Sequence, residues 1–236
     1  MSTTVKALVF DVFGTLVDWR NSVAKQADEL ATAKGITIDS FRFADEWRGA
    51  YGPSMNKVRS GEIPWTNLDD LHRMTLDKLL PSFGFPDLTE QEKTHFNKAW
   101  HRLDSWPDST PGLTRLKTKY VISPLSNGNV ALLTNMGKYA GLPWDCVLSA
   151  ETFKHYKPDS EVYQGAASIL GLALDEVMMT AAHKNDLKRA KEEGLSTAFV
   201  PRPGEFGPDV SVDVTSEDYI DVYAESFTEL AKKMGC

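Results

Sequence analysis

The feature that most constrains this chain is the short apolar run from Val5 to Phe10, which stops at Asp11 and a turn containing Gly14. A brief β-rich run of this kind is the pattern of a buried strand, and its abrupt end on a carboxylate and a glycine is the pattern of a functional loop. From about Val23 to Arg102 the character changes. Stretches such as NSVAKQADELATAKG, LDDLHRMTLDKLLPSFG and EQEKTHFNKAWHRL have helical spacing, and no strand pattern interrupts them. After Pro107 and Pro111, short apolar runs resume at YVISPLSN, CVLSA, EVMMTAA and STAFVP, alternating with the helical SEVYQGAASILG and DLKRAKEEG. This order predicts an α/β fold, a doubly wound parallel sheet whose ligands bind beyond the strand C-termini. Residues 1–18 and 107–236 are assigned to that core and residues 19–106 to an inserted helical domain. The Pro/Gly cluster at Pro201 to Pro208 is expected to be a surface or rim loop.

With 236 residues, 42% of them hydrophobic, the chain can bury a sizeable core. A net charge of −7 spread over both halves leaves no basic stripe, so nucleic acid is not an expected partner. Two cysteines, Cys146 and Cys236, have no metal-ligand spacing and cannot build a disulfide framework. The first apolar run is too short for a signal segment or a membrane span, and a cytoplasmic location without a membrane partner is expected.

Three polar motifs follow three of the expected strands: DVFGT from Asp11, SNG from Ser126 and HKND from His183, while KPD from Lys157 opens a helix. With these motifs the chain resembles the haloacid dehalogenase superfamily, and within it the type II 2-haloacid dehalogenases. The resemblance extends from ALVFDVFGTLVD through LSN and YKPDSEVY to HKND. It implies a Rossmann-like core, a helical cap inserted after the first motif, and hydrolysis of small 2-haloacids with release of halide. Phosphatases of the superfamily carry a second aspartate two positions after the first, as general acid and base beside a bound magnesium. Here that position is Phe13. Phosphoryl chemistry needs the acid and the metal, whereas halide leaves without a proton, so no metal or other cofactor is expected.

The resemblance also supplies roles. Asp11 attacks the halogen-bearing carbon, and water then cleaves the resulting aspartyl ester. Thr15 hydrogen-bonds the nucleophile, Ser126 and Asn127 hold the substrate carboxylate, and Val12 and Phe13 lie beside the substrate. Lys157 neutralises Asp11, and the hydroxyl of Tyr163 braces that lysine or the substrate. Arg48 in DEWRGAY stands in the place of the halide-binding arginine, with Asn127 as second contact and Arg42 and Arg59 as competitors. Aromatics including Trp19, Trp47 and Tyr51 either exclude water from the site or simply build core. Asp186 pairs with Lys157 and acts on the hydrolytic water; as plain structure it would be a helix N-cap. Preference for the L (S) acid follows from the resemblance alone.

The last motif departs from the usual S-x-N-x-x-D, since Ala181, His183 and Asp186 occupy those places. His183 and Asp186 are expected to hold or activate the water together; the alternative is that His183 packs at the strand end. Three other readings of the chain stay open. A phosphatase could have moved its acid, with Asp18 the nearby carboxylate. The same nucleophile could open another activated carbon centre, such as a small cyclic amino acid. The scaffold could also be a binding protein without catalysis. A homodimer through an apolar cap surface is compatible with the sequence.

Overall fold

The computed structural model describes residues 5–236; the first four residues of the amino-terminal segment judged too short for a signal lie outside it. The run that opens the sequence becomes β1 (Ala7–Phe10), whose four side chains are all fully buried. Burying aliphatic and aromatic side chains of this size is worth roughly 1.5–3 kcal/mol each, which makes β1 a natural centre for the sheet. The other strands are β2 (Val121–Ser126), β3 (Leu148–Ser149), β4 (Val177–Ala181), β5 (Ser196–Phe199) and β6 (Val222–Tyr223). They form one parallel sheet in the order β3-β2-β1-β4-β5-β6. Four of the expected runs thus match β2 to β5. The two-residue β6, in a polar stretch, had not been expected.

Between β1 and β2 the chain forms helices α1 (Trp19–Ala33), α2 (Ser40–Gly49), α3 (Tyr51–Arg59), α4 (Leu68–Ser82) and α5 (Glu90–Asn97). No strand occurs among them. Four of the five start on a side-chain cap, α3 being the exception: Asp18 for α1, Asp39 for α2, Asn67 for α4, and Thr89 with Glu92 as a capping box for α5. The remaining helices flank the sheet: α6 (Ser109–Leu116), α7 (Val130–Ala140), α8 (Ala150–Phe153), α9 (Ser160–Leu170), α10 (Lys184–Glu192) and α11 (Phe227–Lys233). One apolar cluster runs from Leu8 and Phe10 in the sheet through Phe13 and Trp19 to Phe43, Trp47 and Trp100 among the inserted helices. The insertion is therefore packed onto the strand ends, not tethered beside them. No described helix is long and apolar enough to cross a membrane.

β1 and β4 are neighbours in register, with Phe10 opposite Thr180. Asp11, one residue past β1, donates its backbone N–H to Thr180 O at 3.0 Å. This pairing holds the loops after β1 and β4 side by side, and β2 on the other flank of β1 brings Ser126 and Asn127 to the same edge.

Candidate active site

A cavity of about 280 Å³ opens beyond the strand ends, under α2 and α3. Asp11, Phe13, Asn127, Lys157, Tyr163, His183 and Asp186 line it from the sheet side, and Arg48, Tyr51 and Met55 line it from the insertion. The three motifs and the KPD segment therefore meet at one place, as expected.

Asp11 is 8% exposed and both its oxygens are engaged. Oδ2 accepts the Thr15 hydroxyl at 2.8 Å and faces His183 Nδ1 at 2.8 Å, while Oδ1 accepts Lys157 Nζ at 3.1 Å. Burial alone would push this carboxyl towards protonation. The Lys157 ammonium, the His183 ring and the Thr15 hydroxyl outweigh it and hold Asp11 well below the usual carboxylate range. Thr15 is itself held by the backbone N–H of Ala182, which donates to its Oγ1 at 2.9 Å.

Lys157 is placed by its own backbone, whose N–H donates to Asn127 Oδ1 at 2.7 Å. Its ammonium spans Asp11 and Asp186, the latter at 2.5 Å. Burial disfavours the charge, but the two carboxylates raise the Lys157 pKa above its ordinary value. Asp186 accepts the Tyr163 hydroxyl on its other oxygen at 2.6 Å. Tyr163 therefore braces Asp186 and reaches Lys157 only through it, while its ring also lines the cavity. The sequence shows Tyr163 near Lys157 but not Asp186, which is 23 residues away and faces it only across the fold.

Two further expectations need correction. Helix α10 begins at Lys184, so its N-cap is His183 and Asp186 sits in the first turn. Val12 is buried in the apolar cluster and Ser126 is fully buried, its Oγ accepting the Gly128 N–H; neither side chain lines the cavity. Of the aromatics, Trp47 takes the core alternative, packing against Phe43, Phe96 and Trp100 and not lining the cavity. Among the arginines, Arg42 pairs with Glu46 and Arg59 with Asp159, both partly exposed. Arg48 alone of the three lines the cavity, its guanidinium 4.1 Å from the centre of the Tyr51 ring and its buried Nη1 without a partner. An unpartnered buried guanidinium N–H is costly, and an anion in the cavity is the partner it fits.

The histidine departs most from expectation. His183 and Asp186 are not bonded to each other: His183 faces Asp11 Oδ2, and Asp186 reaches Oδ1 only through Lys157. The far side of the His183 ring, Nε2, lies 2.9 Å from Glu205 Oε2 and 3.2 Å from Oε1. Glu205 lies in the Pro/Gly loop after β5 and is only 1% exposed. Trp19 Nε1 donates to its Oε1 at 3.1 Å. Burial would lower the His183 pKa, but hydrogen bonds and charge from Asp11 and Glu205 raise it to about 10. Near neutrality the ring is an imidazolium with both nitrogens donating. The expected rim loop is thus also a working part of the site. A second residue of it, Arg202, donates Nε to the Thr15 carbonyl at 2.9 Å and Nη1 to Asp108 at 2.8 Å, buttressing the Asp11 loop.

Gly14 is what lets Glu205 come so close. A Cβ at Gly14 would fall 2.0 Å from Glu205 Oε1, and its φ of +80° lies in the left-handed region. Gly14→Ala is expected to cost about 3 kcal/mol, from backbone strain and overpacking together. Urea unfolding checks this, and an unchanged midpoint would refute the packing described.

The donor set does not fit a divalent metal. Both oxygens of Asp11 already face protein cations, Asp186, the other carboxylate lining the cavity, is held by Lys157 and Tyr163, and a further positive charge there would be repelled. Asp18, the other carboxylate of that loop, is committed to capping α1 through Asn21.

The family model of haloacid dehalogenase-like hydrolases matches residues 5–194. The (S)-2-haloacid dehalogenase 4A of Burkholderia cepacia is 30% identical, over 88% of this chain and 90% of its own length. The crystal structure of a defluorinating L-2-haloacid dehalogenase superposes with a TM-score of 0.95 at 42% identity, covering 98% of this chain and 96% of that one. A second L-2-haloacid dehalogenase structure gives a TM-score of 0.93 at 45% identity, covering 98% of each.

Proposed function

The chain belongs to the haloacid dehalogenase-like hydrolases, and from that premise we propose that Asp11 is the nucleophile through which it hydrolyses small 2-haloacids to 2-hydroxyacids. It is an enzyme acting on carbon–halide bonds. The observation that carries the assignment of Asp11 is its surroundings: an ionised carboxylate at the floor of a small cavity, balanced by Lys157 and His183 and adjoined by Phe13 where a phosphatase needs an acid. A nucleophile for carbon requires a free anion and no proton donor for its leaving group.

In this reading Arg48 accepts the negative charge that enters with the substrate or develops on the halide, with Phe13 and Tyr51 as the apolar wall beside it. Asn127, whose Oδ1 is occupied by the Lys157 N–H, presents its NH2 group as a donor to the substrate carboxylate. Asp186 has acceptor capacity left beyond Lys157 and Tyr163 and takes the proton from the hydrolytic water. The (S) acid is the proposed enantiomer, in keeping with the relatives, and the defluorinating relative makes 2-fluoroacids worth including. The core is proposed as residues 1–18 with 107–236 and the cap as residues 19–106. This division follows the element order, with the five helices α1 to α5 falling in residues 19–106 between β1 and β2.

Halide release from chloroacetate and from each enantiomer of 2-chloropropionate, with and without chelator, tests the assignment. Release that survives the chelator is expected; activity that appears only on phosphate esters with magnesium would overturn it. Arg48→Leu should lower kcat/KM by about 100-fold or more, the scale of losing one charged donor to a developing anion. Steady-state kinetics on 2-chloropropionate check this, and a change below threefold would remove Arg48 from the site.

A further inference from the structure

The bonds on Asp11 are unequal. Oδ2 receives two donors, Thr15 Oγ1 and His183 Nδ1, each at 2.8 Å, whereas Oδ1 receives only Lys157 at 3.1 Å. Oδ1 is therefore the oxygen freer to attack. Once it carries the substrate carbon, Oδ2 becomes the ester carbonyl, still facing both donors. Water adding at Cγ then drives the carbonyl electron pair onto Oδ2.

We propose that His183 and Thr15 form an oxyanion hole on Oδ2 for hydrolysis of the Asp11 ester, and that the buried Glu205 is the positioning residue that keeps His183 charged during that step. The inference rests on the dehalogenase reading and adds a role for a carboxylate that the family motifs leave out. Its geometry is closed at both ends. Nδ1 points at Oδ2, Nε2 points at Glu205, and Glu205 is fixed by Trp19 and admitted by the bare Cα of Gly14.

The second carboxylate has a purpose that one carboxylate could not serve. The charged groups facing His183 are Asp11, from the end of β1, and Glu205, from the loop after β5. Esterification abolishes the charge on Asp11 at the moment the imidazolium is needed. Glu205, 2.9 Å from Nε2, takes no part in the ester and keeps the proton in place. A group that holds its proton this firmly is a poor general base near neutrality, and a good donor to a developing anion.

The step balances as follows. The water oxygen bonds to Cγ, and the oxyanion on Oδ2 collapses to break the Cγ–Oδ1 bond. Oδ1 departs as the hydroxyl of the 2-hydroxyacid and keeps one proton of the water. The other proton is taken by Asp186, which passes it on to solvent, and Asp11 is restored as a carboxylate holding one solvent oxygen.

Rapid-quench mass spectrometry of the Asp11 ester, from about pH 6 to about pH 10, reads this step directly. In the wild type, ester decay should not rise through neutrality as loss of the His183 proton would require, and it should fall as that proton is finally lost. His183→Gln should slow decay by about 100- to 1000-fold, the scale of one oxyanion donor. Glu205→Gln should decay close to the wild-type rate at the acid end, then lose about tenfold per pH unit from a midpoint at least about one unit below the wild type. Glu205→Asp, which keeps the charge, should restore most of the wild-type profile. Decay that accelerates as His183 loses its proton would make the histidine a base and overturn the proposal, as would a Glu205→Gln profile superimposable on the wild type. Absence of any ester in all four proteins would overturn the dehalogenase reading itself, an outcome distinct from an ester that forms but decays with the opposite pH dependence.

Discussion

Asp11→Asn is expected to abolish halide release from 2-chloropropionate, lowering kcat by at least about 10⁴-fold while leaving the fold intact. The amide is a weak nucleophile, and it also turns an acceptor-only group into one with an NH2 that meets the Lys157 ammonium or a His183 N–H. Lys157 would keep only Asp186 as its anion, and His183 only Glu205. Stability should therefore change along with activity. The His183 pKa is raised chiefly by hydrogen bonds to Asp11 and Glu205, so losing one carboxylate lowers it. A group with a raised folded pKa contributes stability below its unfolded value, and the contribution is lost as pH climbs through the folded value. In the wild type that loss should run from about pH 6.5 to about pH 10; in Asp11→Asn it should finish at lower pH. Urea midpoints across this range check the shift, with coincident curves as the contrary result.

Lys157→Met is expected to be the most destabilising single change in the site, at about 3–5 kcal/mol, because it leaves two buried carboxylates facing each other without their shared cation. Its pH dependence should be inverted. In the wild type the depressed pKa of Asp11 contributes stability that is present above the unfolded carboxylate value and is lost as pH falls through the folded one. Without Lys157, burial and the neighbouring charge raise the pKa values of Asp11 and Asp186, so the variant should gain stability as pH drops from neutrality towards about 5. Urea unfolding at the two pH values separates these signs. A variant as stable as the wild type at neutrality would mean that Lys157 does not hold the two carboxylates together. Activity should fall as well, since Asp11 would no longer be held ionised.

Much of this site was legible in the sequence because its parts lie within short motifs at strand ends. Asp11 and Thr15 are four residues apart in one loop, and Lys157 and Asp186 open segments whose neighbours mark them. Arg48 was harder to place, since a helix surface offers several arginines. What singles it out is that Arg42 and Arg59 have carboxylate partners and Arg48 Nη1 has none. Glu205 was not legible at all. It sits in a proline- and glycine-rich stretch with no motif, and its contacts with His183 and Trp19 span 22 and 186 residues. The available hints were indirect: a charged residue in a loop otherwise built for turning, and a histidine in the last motif in need of a partner. β6 was missed for a simpler reason, since two half-buried residues leave no periodicity to read.

The fold supports the chemistry in a particular way. β1, a fully buried strand, leads into Asp11, the proposed nucleophile, and β4 is locked to it in register, so Asp11 and His183 approach from adjacent loops. The insertion brings Arg48 and Tyr51 over the same point through the apolar cluster it shares with the sheet. The backbone therefore sets both the proposed nucleophile and the charge proposed to meet the leaving halide, which is the preorganisation that electrostatic catalysis requires.

The central claim, that Asp11 bonds covalently to substrate carbon, is tested most directly by a single turnover with enzyme in excess in ¹⁸O-enriched water. Mass spectrometry should find the heavy oxygen in the Asp11 carboxylate and the light oxygen in the released 2-hydroxyacid. Heavy oxygen in the product, with none in Asp11, would contradict the claim and make water the direct nucleophile.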